Sequence, residues 1–257
     1  MCIKNLSFQE QSLLFAKLSN ISYQSPTTAG PLFKELGFNS EFYSVNGSDA
    51  YCLFNDDDVV VVCRGTQPTQ FSDIIADLRV MLVTSSSGFG KVHKGFKQSV
   101  DNIWGDISNK LKQYGKHKDI YLTGHSLGAA MATLIATRCK RLYDMPNPVA
   151  LFTYGSPRVG NGAYVGLMYG IELTHHRWVN NADIVTRNPI GRYKHHGELH
   201  YMNHYGQVRQ MTSWQIVKDR VRGFFTGIKK GNINFFVNHS IDRYQENLTN
   251  WVKNSDY

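Results

Sequence analysis

Runs of apolar residues first indicate a β-hairpin near the start of the chain. Residues 51–54 and 58–63 are mostly apolar, and the turn sequence 55–57 (NDD) separates them. Shorter apolar runs follow at residues 119–123, 149–154 and 176–179. The segments between these runs are long enough for crossover helices, so we expect the runs to be parallel strands of a central sheet.

Helical periodicity marks the longer segments between these strands. Helical spacing of apolar residues is found in residues 91–111, 127–143 and 241–252. It is also found in residues 1–23, where Phe8, Leu13, Leu14 and Leu18 lie on or near one face of the predicted helix. Short apolar strands that alternate with helices predict an α/β protein with a mostly parallel central sheet flanked by helices.

Composition limits the classes of protein that remain. The chain has 257 residues, 42% of them hydrophobic, and it lacks a linker-like segment, so we expect one globular domain over residues 1–257. No apolar stretch approaches the roughly 20 residues of a membrane-spanning helix. The N-terminal residues lack the pattern of a secretory signal, so we expect a cytoplasmic protein or export by a signal-peptide-independent route. The four cysteines show no metal-binding or disulfide spacing, and we expect idle or buried thiols.

A candidate nucleophile lies between a predicted strand and a predicted helix. Residues 124–128 (GHSLG) match the pattern G-x-S-x-G, directly after the strand-like residues 120–123 and before the alanine-rich residues 129–137. In such a turn the hydroxyl of Ser126 would project from the carboxyl end of the sheet, beside the positive end of the following helix. The alternative is an ordinary turn in a β-α unit.

A serine nucleophile needs a histidine base and an acid that orients it. In α/β-hydrolases the acid and then the histidine follow the serine along the chain. Asp183 follows a strand-like segment, although an aspartate there can also be a helix cap. His239 precedes the final helical run and is the histidine best placed as base. His195, His196 and His200, with Glu198 beside them, suggest a metal site, which we disfavour because no further ligand completes the set.

Six blocks of sequence, in order, resemble the class 3 (fungal-type) lipase family. They are residues 63–66 (CRGT), 91–96 (KVHKGF), 124–128 (GHSLG), 153–160 (TYGSPRVG), 179–185 (VNNADIV) and 239–244 (HSIDRY). The resemblance implies a single-domain α/β-hydrolase with a helical lid.

The resemblance also implies roles for individual residues. Ser126 would be the nucleophile, Asp183 the acid and His239 the base, and the backbone N–H groups of Thr66 and Leu127 would form the oxyanion hole. His195 falls on a His-x-Gly stretch in which the family's histidine is not the catalytic one. We therefore predict a serine esterase that hydrolyses lipid carboxylic esters, as triacylglycerol lipases do, through an acyl-serine intermediate and without a metal or organic cofactor.

The family's lid corresponds to a segment within residues 67–90. Phe71, Ile74, Ile75 and Leu78 form one apolar helical face, and a Ser/Gly-rich tail at residues 84–90 would serve as the hinge. A helix packed on the core is the alternative interpretation.

A basic amphipathic segment spans residues 207–230. It holds six Lys or Arg residues and one acid, and its apolar stripe is Trp214, Val217, Val221, Phe224, Phe225 and Ile228. We favour a core-packed helix with a solvated basic rim. The alternative is peripheral docking on an anionic membrane, which would suit a phospholipase. A nucleic-acid-binding or catalytically inactive module is disfavoured, because it would have no use for a complete triad.

Overall fold

The computed structural model describes residues 2–66, 81–229 and 237–254, with only the backbone of residues 224–229. The predicted lid residues Phe71, Ile74, Ile75 and Leu78 lie outside this part of the chain. The described helices are α1 (Phe8–Ile21), α2 (Pro26–Glu35), α3 (Lys94–Tyr114), α4 (Leu127–Arg141), α5 (Gly162–Gly170), α6 (Ser213–Lys229) and α7 (Ile241–Lys253).

The described strands form two sheets. They are β1 (Asn39–Val45), β2 (Ser48–Phe54), β3 (Asp58–Cys63), β4 (Leu82–Thr84), β5 (Lys91–His93), β6 (Asp119–His125), β7 (Ala150–Tyr154), β8 (Gly160–Asn161), β9 (His175–Asn180), β10 (Tyr193–Lys194), β11 (Glu198–Met202) and β12 (Val208–Arg209). The large sheet has the order β1-β2-β3-β6-β7-β9-β11-β12, and the small one has the order β10-β8-β5-β4.

The middle of the large sheet is parallel. Strands β3, β6, β7, β9 and β11 run in the same direction, whereas β1, β2 and β12 are antiparallel to their neighbours. The predicted β2–β3 hairpin and the predicted parallel strands are therefore confirmed. All carboxyl ends of the parallel strands meet at one edge, which is where sites lie in open α/β sheets.

Helices cover both faces of the large sheet. Val59 and Val61 of β3 pack toward the face covered by α3 and α4, whereas Val60 and Val62 pack toward the face covered by α1, α2 and α7. Successive side chains of a strand point to opposite faces, so an uninterrupted apolar run is what a strand buried on both sides needs. The burial of every residue of β3 follows from this arrangement.

Helix α1 begins at a capping motif formed by Ser7 and Glu10. Ser7 caps its first turn by accepting a hydrogen bond from the backbone N–H of Glu10, and the Glu10 carboxylate bonds back to the N–H of Ser7. This capping box satisfies two backbone donors that a helix start leaves open. Leu14 and Leu18 are buried against the sheet, as the apolar face predicts.

The predicted helix over residues 91–111 begins three residues later than expected. Residues Lys91–His93 form β5, which pairs with β4 and β8. His93 then caps α3, because its Nδ1 accepts a hydrogen bond from the backbone N–H of Phe96. Pairing with two strands satisfies backbone groups of this segment that a helix would otherwise have used.

The four cysteines are free, and three of them, Cys52, Cys63 and Cys139, are buried. Burial raises the pKa of Cys52 and of Cys139 to about 12, so these thiols stay protonated and unreactive. Among the described residues, no helix combines the length and the apolar character that crossing a membrane requires.

Candidate active site

Ser126 occupies the turn between β6 and α4. Its backbone angles, φ 59° and ψ −127°, are rarely adopted by residues other than glycine. A Cβ on Gly124 would stand 2.5 Å from the backbone of Gly128, and a Cβ on Gly128 would stand 2.1 Å from the carbonyl oxygen of Cys63. Only glycine at both positions lets strand, turn and helix pack this closely. The two glycines of the motif thus have a steric cause.

The imidazole of His239 lies between Ser126 and Asp183. Its Nε2 is 2.9 Å from Ser126 Oγ, and its Nδ1 is 2.9 Å from Asp183 Oδ2 and 3.0 Å from Oδ1. The carboxylate accepts the Nδ1 proton, which leaves the lone pair of Nε2 facing the serine hydroxyl. All three side chains are buried. The residues predicted as nucleophile, base and acid are therefore joined by hydrogen bonds in the order that nucleophilic catalysis requires.

Asp183 is held from two further directions. It follows β9, its Oδ1 accepts the backbone N–H of Val185 at 2.9 Å, and its Oδ2 accepts the hydroxyl of Tyr244 at 2.7 Å. The Tyr244 hydroxyl in turn accepts the backbone N–H of Asn180 at 3.0 Å. Burial, and then the charge of Asp183, raise the pKa of Tyr244 well above its ordinary value, so it remains a donor. Tyr244 of α7 thereby ties the acid to the end of β9.

A second histidine, His125, supports His239 by a hydrogen bond to the backbone carbonyl of His239. His125 Nε2 lies 2.6 Å from the carbonyl oxygen of His239, and its Nδ1 lies 2.8 Å from the hydroxyl of Tyr23. Complete burial, and then the proximity of His239, lower the pKa of His125 well below its ordinary value. A neutral His125 donates from Nε2 to the carbonyl and accepts from Tyr23 at Nδ1.

Three residues that support the site, His125, Tyr23 and Tyr244, are not among those that the sequence predicts. His125 and Tyr244 lie inside the motif blocks 124–128 and 239–244, so their positions offered a signal. Tyr23 offered none, because its contact with His125 spans about a hundred residues of chain and depends on the packing of α1 beside β6.

The loop that carries Thr66 lies against the turn of Ser126. A Cβ on Gly65 would stand 2.7 Å from the carbonyl oxygen of His125, so the backbones of the two loops are in close contact. Thr66 follows Gly65 directly, and Leu127 is the first residue of α4, where backbone N–H groups are free of helical partners. This arrangement brings both predicted oxyanion-hole residues to the nucleophile's end of the sheet.

The part of the predicted lid segment that the structure describes is a hairpin. Strands β4 and β5 pair around residues 85–90, where the N–H of Ser85 bonds to the carbonyl of Gly90 at 3.1 Å. Ser86 Oγ accepts a hydrogen bond from Arg138 of α4 at 2.6 Å. The Ser/Gly-rich tail predicted as a hinge is thus a hydrogen-bonded turn, because it closes an antiparallel pair of strands.

The three histidines considered as a metal cluster are directed to different partners. His195 Nε2 donates to the carbonyl of Thr186 at 2.6 Å, and His196 Nδ1 lies 3.1 Å from His175 Nδ1. His200 Nε2 lies 3.1 Å from His176 Nδ1. Burial lowers the pKa of His195 to about 3 and that of His196 to about 4, so both are neutral at pH 7. His195, His196 and His200 therefore do not converge on one point, in line with the disfavoured metal interpretation of these three histidines.

The basic segment forms β12 and α6, and α6 lies beside the candidate site. Arg220 donates from Nε to the carbonyl of Asn181 at 3.1 Å, and Asn181 precedes Asp183 by two residues. Asp219 is buried and accepts the hydroxyl of Tyr201 at 2.9 Å. Polar contacts of this kind anchor the helix to β9 and β11.

The interpretation of α6 as a core-packed helix is wrong for the described half of its apolar stripe. Trp214, Val217 and Val221 are 64%, 47% and 50% exposed, whereas Ile216 is buried. The buried face of the helix is partly polar, with Ile216 beside Asp219, and the described residues of the apolar stripe face solvent. Phe224, Phe225 and Ile228 lie outside the described side chains.

Fold and site together define an α/β-hydrolase with a serine nucleophile. The sequence profile of the family Lipase (class 3) matches residues 60–193, which is more than half of the chain. The chain belongs to the class 3 lipase family.

The chain is similar to proteins of several kingdoms. It is 31% identical over 216 residues to the toxin TseL of Vibrio cholerae, an alignment that covers 65% of this chain and 33% of the toxin. It is 33% identical over 160 residues to a lipase of Rhizomucor miehei, covering 56% of this chain and 41% of that protein. The chain thus spans less than half the length of these curated relatives.

The fold is similar to that of solved lipases. A structure of the triacylglyceride lipase of Rhizomucor miehei superposes with a TM-score of 0.67 and 26% identity, covering 77% of this chain and 82% of the other. The predicted α/β-hydrolase fold with its mostly parallel sheet is confirmed.

Proposed function

We propose that this protein is a serine esterase that hydrolyses carboxylic esters of lipids, with triacylglycerol as the leading substrate class. One observation carries the proposal: Ser126, His239 and Asp183 form a continuous chain of hydrogen bonds of 2.9 Å on both sides of the imidazole. Such a chain has no structural purpose at a strained turn, and it is the arrangement that activates a serine hydroxyl.

In the proposed mechanism, His239 Nε2 takes the proton of Ser126 as Oγ attacks the ester carbonyl. Asp183 orients the imidazole and stabilises the imidazolium that forms. The backbone N–H groups of Thr66 and Leu127 stabilise the oxyanion. His239 then protonates the leaving alcohol, and a water activated by the same imidazole releases the fatty acid from the acyl-serine. No step requires a metal or an organic cofactor.

The substrate class is supported by the relatives rather than by a described pocket. The Rhizomucor miehei relative is named a lipase, and its solved structure is named a triacylglyceride lipase. Family membership and the triad are compatible with any carboxylic ester.

A phospholipase that acts on anionic membranes is a second candidate, and α6 favours it. The exposed stripe of Trp214, Val217 and Val221 is flanked by cations, and the Lys218 ammonium lies 5.1 Å from the centre of the Trp214 ring. An apolar stripe with basic neighbours is typical of helices that lie in the interface of an anionic membrane. Since Arg220 anchors α6 at Asn181, the stripe belongs to the active-site end of the molecule.

The test is fatty-acid release in a pH-stat from a neutral triglyceride emulsion and from anionic phospholipid vesicles. Ser126→Ala should abolish release from both while the folded state persists. Ser12→Ala is the matched control, because Ser12 is also buried but bonds within α1, to the carbonyl of Phe8 at 2.7 Å. Substantial turnover by Ser126→Ala would refute the proposal.

The ratio of the two rates separates the candidates. Faster release from triglyceride supports a triacylglycerol lipase, and faster release from vesicles supports a phospholipase. Activity confined to soluble short-chain esters would keep the serine mechanism and reject both lipid substrates.

A further inference from the structure

A group of metal-ligating side chains lies outside the candidate active site, where β9 pairs with β11. The parallel register places Glu198 opposite His176 and His200 opposite Trp178. His176 Nδ1 is 3.1 Å from His200 Nε2, and Glu198 Oε2 is 3.6 Å from the first nitrogen and 3.7 Å from the second. Two imidazoles and a carboxylate thus converge on one point.

The dimensions of this triangle fit a transition metal. A triangle with these sides has a centre about 2.0 Å from each of the three atoms, which is the length of Zn–N and Zn–O bonds. The side chain of Glu198 is 66% exposed, so its carboxylate can adjust by the few tenths of an ångström that a tetrahedral ion requires.

Aromatic rings fix both imidazoles. The Phe8 ring centre lies 4.8 Å from that of His176 and 5.0 Å from that of His200. Trp178 stacks on His200 at 4.8 Å, and Phe152 lies 4.8 Å from His176. An imidazole binds a metal through the lone pair of a neutral ring nitrogen, and both nitrogens of this pair already face each other across the site. The two imidazoles are therefore already held in place before an ion binds.

The group is open to solvent and far from Ser126. A surface cleft is lined by His176 and Glu198, among others, so two of the three side chains border solvent. His176 lies at the amino end of β9 and Asn180 at its carboxyl end, about 13 Å away at the rise of a strand. The group is therefore separate from the Ser126 site.

We propose that His176, Glu198 and His200 bind a divalent transition metal of the Zn²⁺ type, with water in the remaining coordination position. The donor set of two imidazole nitrogens and one carboxylate oxygen favours such ions over Mg²⁺ or Ca²⁺, which select oxygen ligands. The ion joins β9 to β11 through three side chains, close to the edge of the sheet. The bound ion stabilises the folded protein and takes no part in the serine mechanism.

The experiment titrates ZnCl₂ into the chelator-treated chain of 257 residues by calorimetry. We expect one Zn²⁺ per chain, with affinity weakened at least about 10- to 100-fold by Glu198→Gln and by His200→Asn. His117→Ala is the matched control, because His117 is an exposed histidine outside the group, and its affinity should equal that of the wild type. Replacing Zn²⁺ by Co²⁺ should give visible absorption bands of a low-coordinate site in the wild type and in His117→Ala, and weaker bands at the same Co²⁺ concentration in Glu198→Gln and His200→Asn.

Thermal unfolding provides a second measurement. A ZnCl₂ concentration about 100-fold above the wild-type Kd should raise the Tm of the wild type by about 5 °C or more, and the same concentration should raise the Tm of Glu198→Gln by clearly less. Absence of saturable binding would overturn the proposal and leave a hydrogen-bonded histidine pair. Wild-type affinity in Glu198→Gln would also overturn it, and this variant removes an exposed charge that the fold does not depend on.

Discussion

At the scale of single residues, the site depends on groups that hold the triad in place as much as on the triad. His125 holds the backbone of His239, and Tyr244 holds the carboxylate of Asp183. Each of these groups is buried and paired, so removing one leaves a polar partner without its bond, a larger loss than the net value of that bond.

Tyr244→Phe tests this support for the acid. A hydrogen bond to a charged group contributes about 1.5–3 kcal/mol, so kcat on a soluble ester should fall about 10- to 100-fold at nearly unchanged KM. Tyr154→Phe is the control, because Tyr154 is equally buried and its hydroxyl bonds to the carbonyl of Ser12, away from the triad. Equal losses of kcat in both variants would mean that Tyr244 acts on stability alone.

At the scale of the elements, close approach of loops at the carboxyl edge of the sheet decides the geometry. Gly155 follows β7 with a positive φ of 59°, and a Cβ there would stand 2.9 Å from Asp183 Oδ2 and 2.9 Å from His239 Nδ1. The end of β7 thus packs against the acid and the base, and only a residue without a side chain fits.

Gly155→Ala should lower kcat by about 100-fold or more, since displacing the acid and base by a fraction of an ångström removes their alignment. Gly47→Ala is the matched control, with a similar φ of 73° and nothing within 4 Å of its Cβ. Steady-state kinetics and urea unfolding of both variants separate the steric clash from backbone strain. A fall in kcat of similar size in Gly47→Ala would contradict the steric explanation.

Helix α6 carries the prediction on membrane docking. Trp214→Ala combined with Lys218→Gln should lower activity on anionic vesicles about 10-fold and leave activity on a soluble ester unchanged. The double substitution removes two contributions to the free energy of membrane binding. One is the burial of the apolar area of Trp214, and the other is about 1 kcal/mol for a basic residue near the headgroups. Arg220 is left intact, because it anchors the helix at Asn181.

The matched control for α6 is Tyr143→Ala combined with Lys116→Gln. Both residues are exposed, and they lie in loops at the opposite, amino edge of the sheet, after α4 and before β6. This control should act on vesicles like the wild type. A vesicle-specific loss in the control, or an equal loss on the soluble ester in the α6 variant, would argue against docking through α6.

At the scale of the whole molecule, buried histidines make stability depend on pH. Burial lowers the pKa of His93 to about 4 and of His195 to about 3, and it lowers that of His125 well below its ordinary value. In the unfolded chain all three titrate near 6.5. As pH falls below 6.5, the unfolded state therefore binds protons that the folded state does not, and the free energy of unfolding decreases until the folded groups titrate.

The urea midpoint should fall steadily between pH 6.5 and pH 4.5. The pH dependence of the free energy of unfolding should correspond to the uptake of about one proton on unfolding for each of these histidines. His195→Gln should reduce this uptake by about one proton, and His117→Gln, at an exposed site, should leave it unchanged. A midpoint that is constant or rises over this range would contradict the argument.

The order of apolar runs and the motif blocks determined the outline of this protein. A strand buried on both faces has to be mostly apolar, which made the apolar runs of β3, β6 and β7 visible in the sequence. A tight strand-to-helix turn needs glycines at fixed positions, which made Ser126 visible. Chain order and the family resemblance predicted Asp183 as the acid and His239 as the base. In the structure, hydrogen bonds join both side chains to Ser126.

Contacts between distant segments were decided by the tertiary structure alone. His176 and His200 meet because β9 pairs in parallel with β11 in one register, and a shift of one residue would send them to opposite faces. Tyr23 reaches His125 only through the packing of α1, and the exposed face of α6 follows from the polar anchors at Asp219 and Arg220. Local sequence encodes periodicity and turns, but it does not encode which surfaces meet.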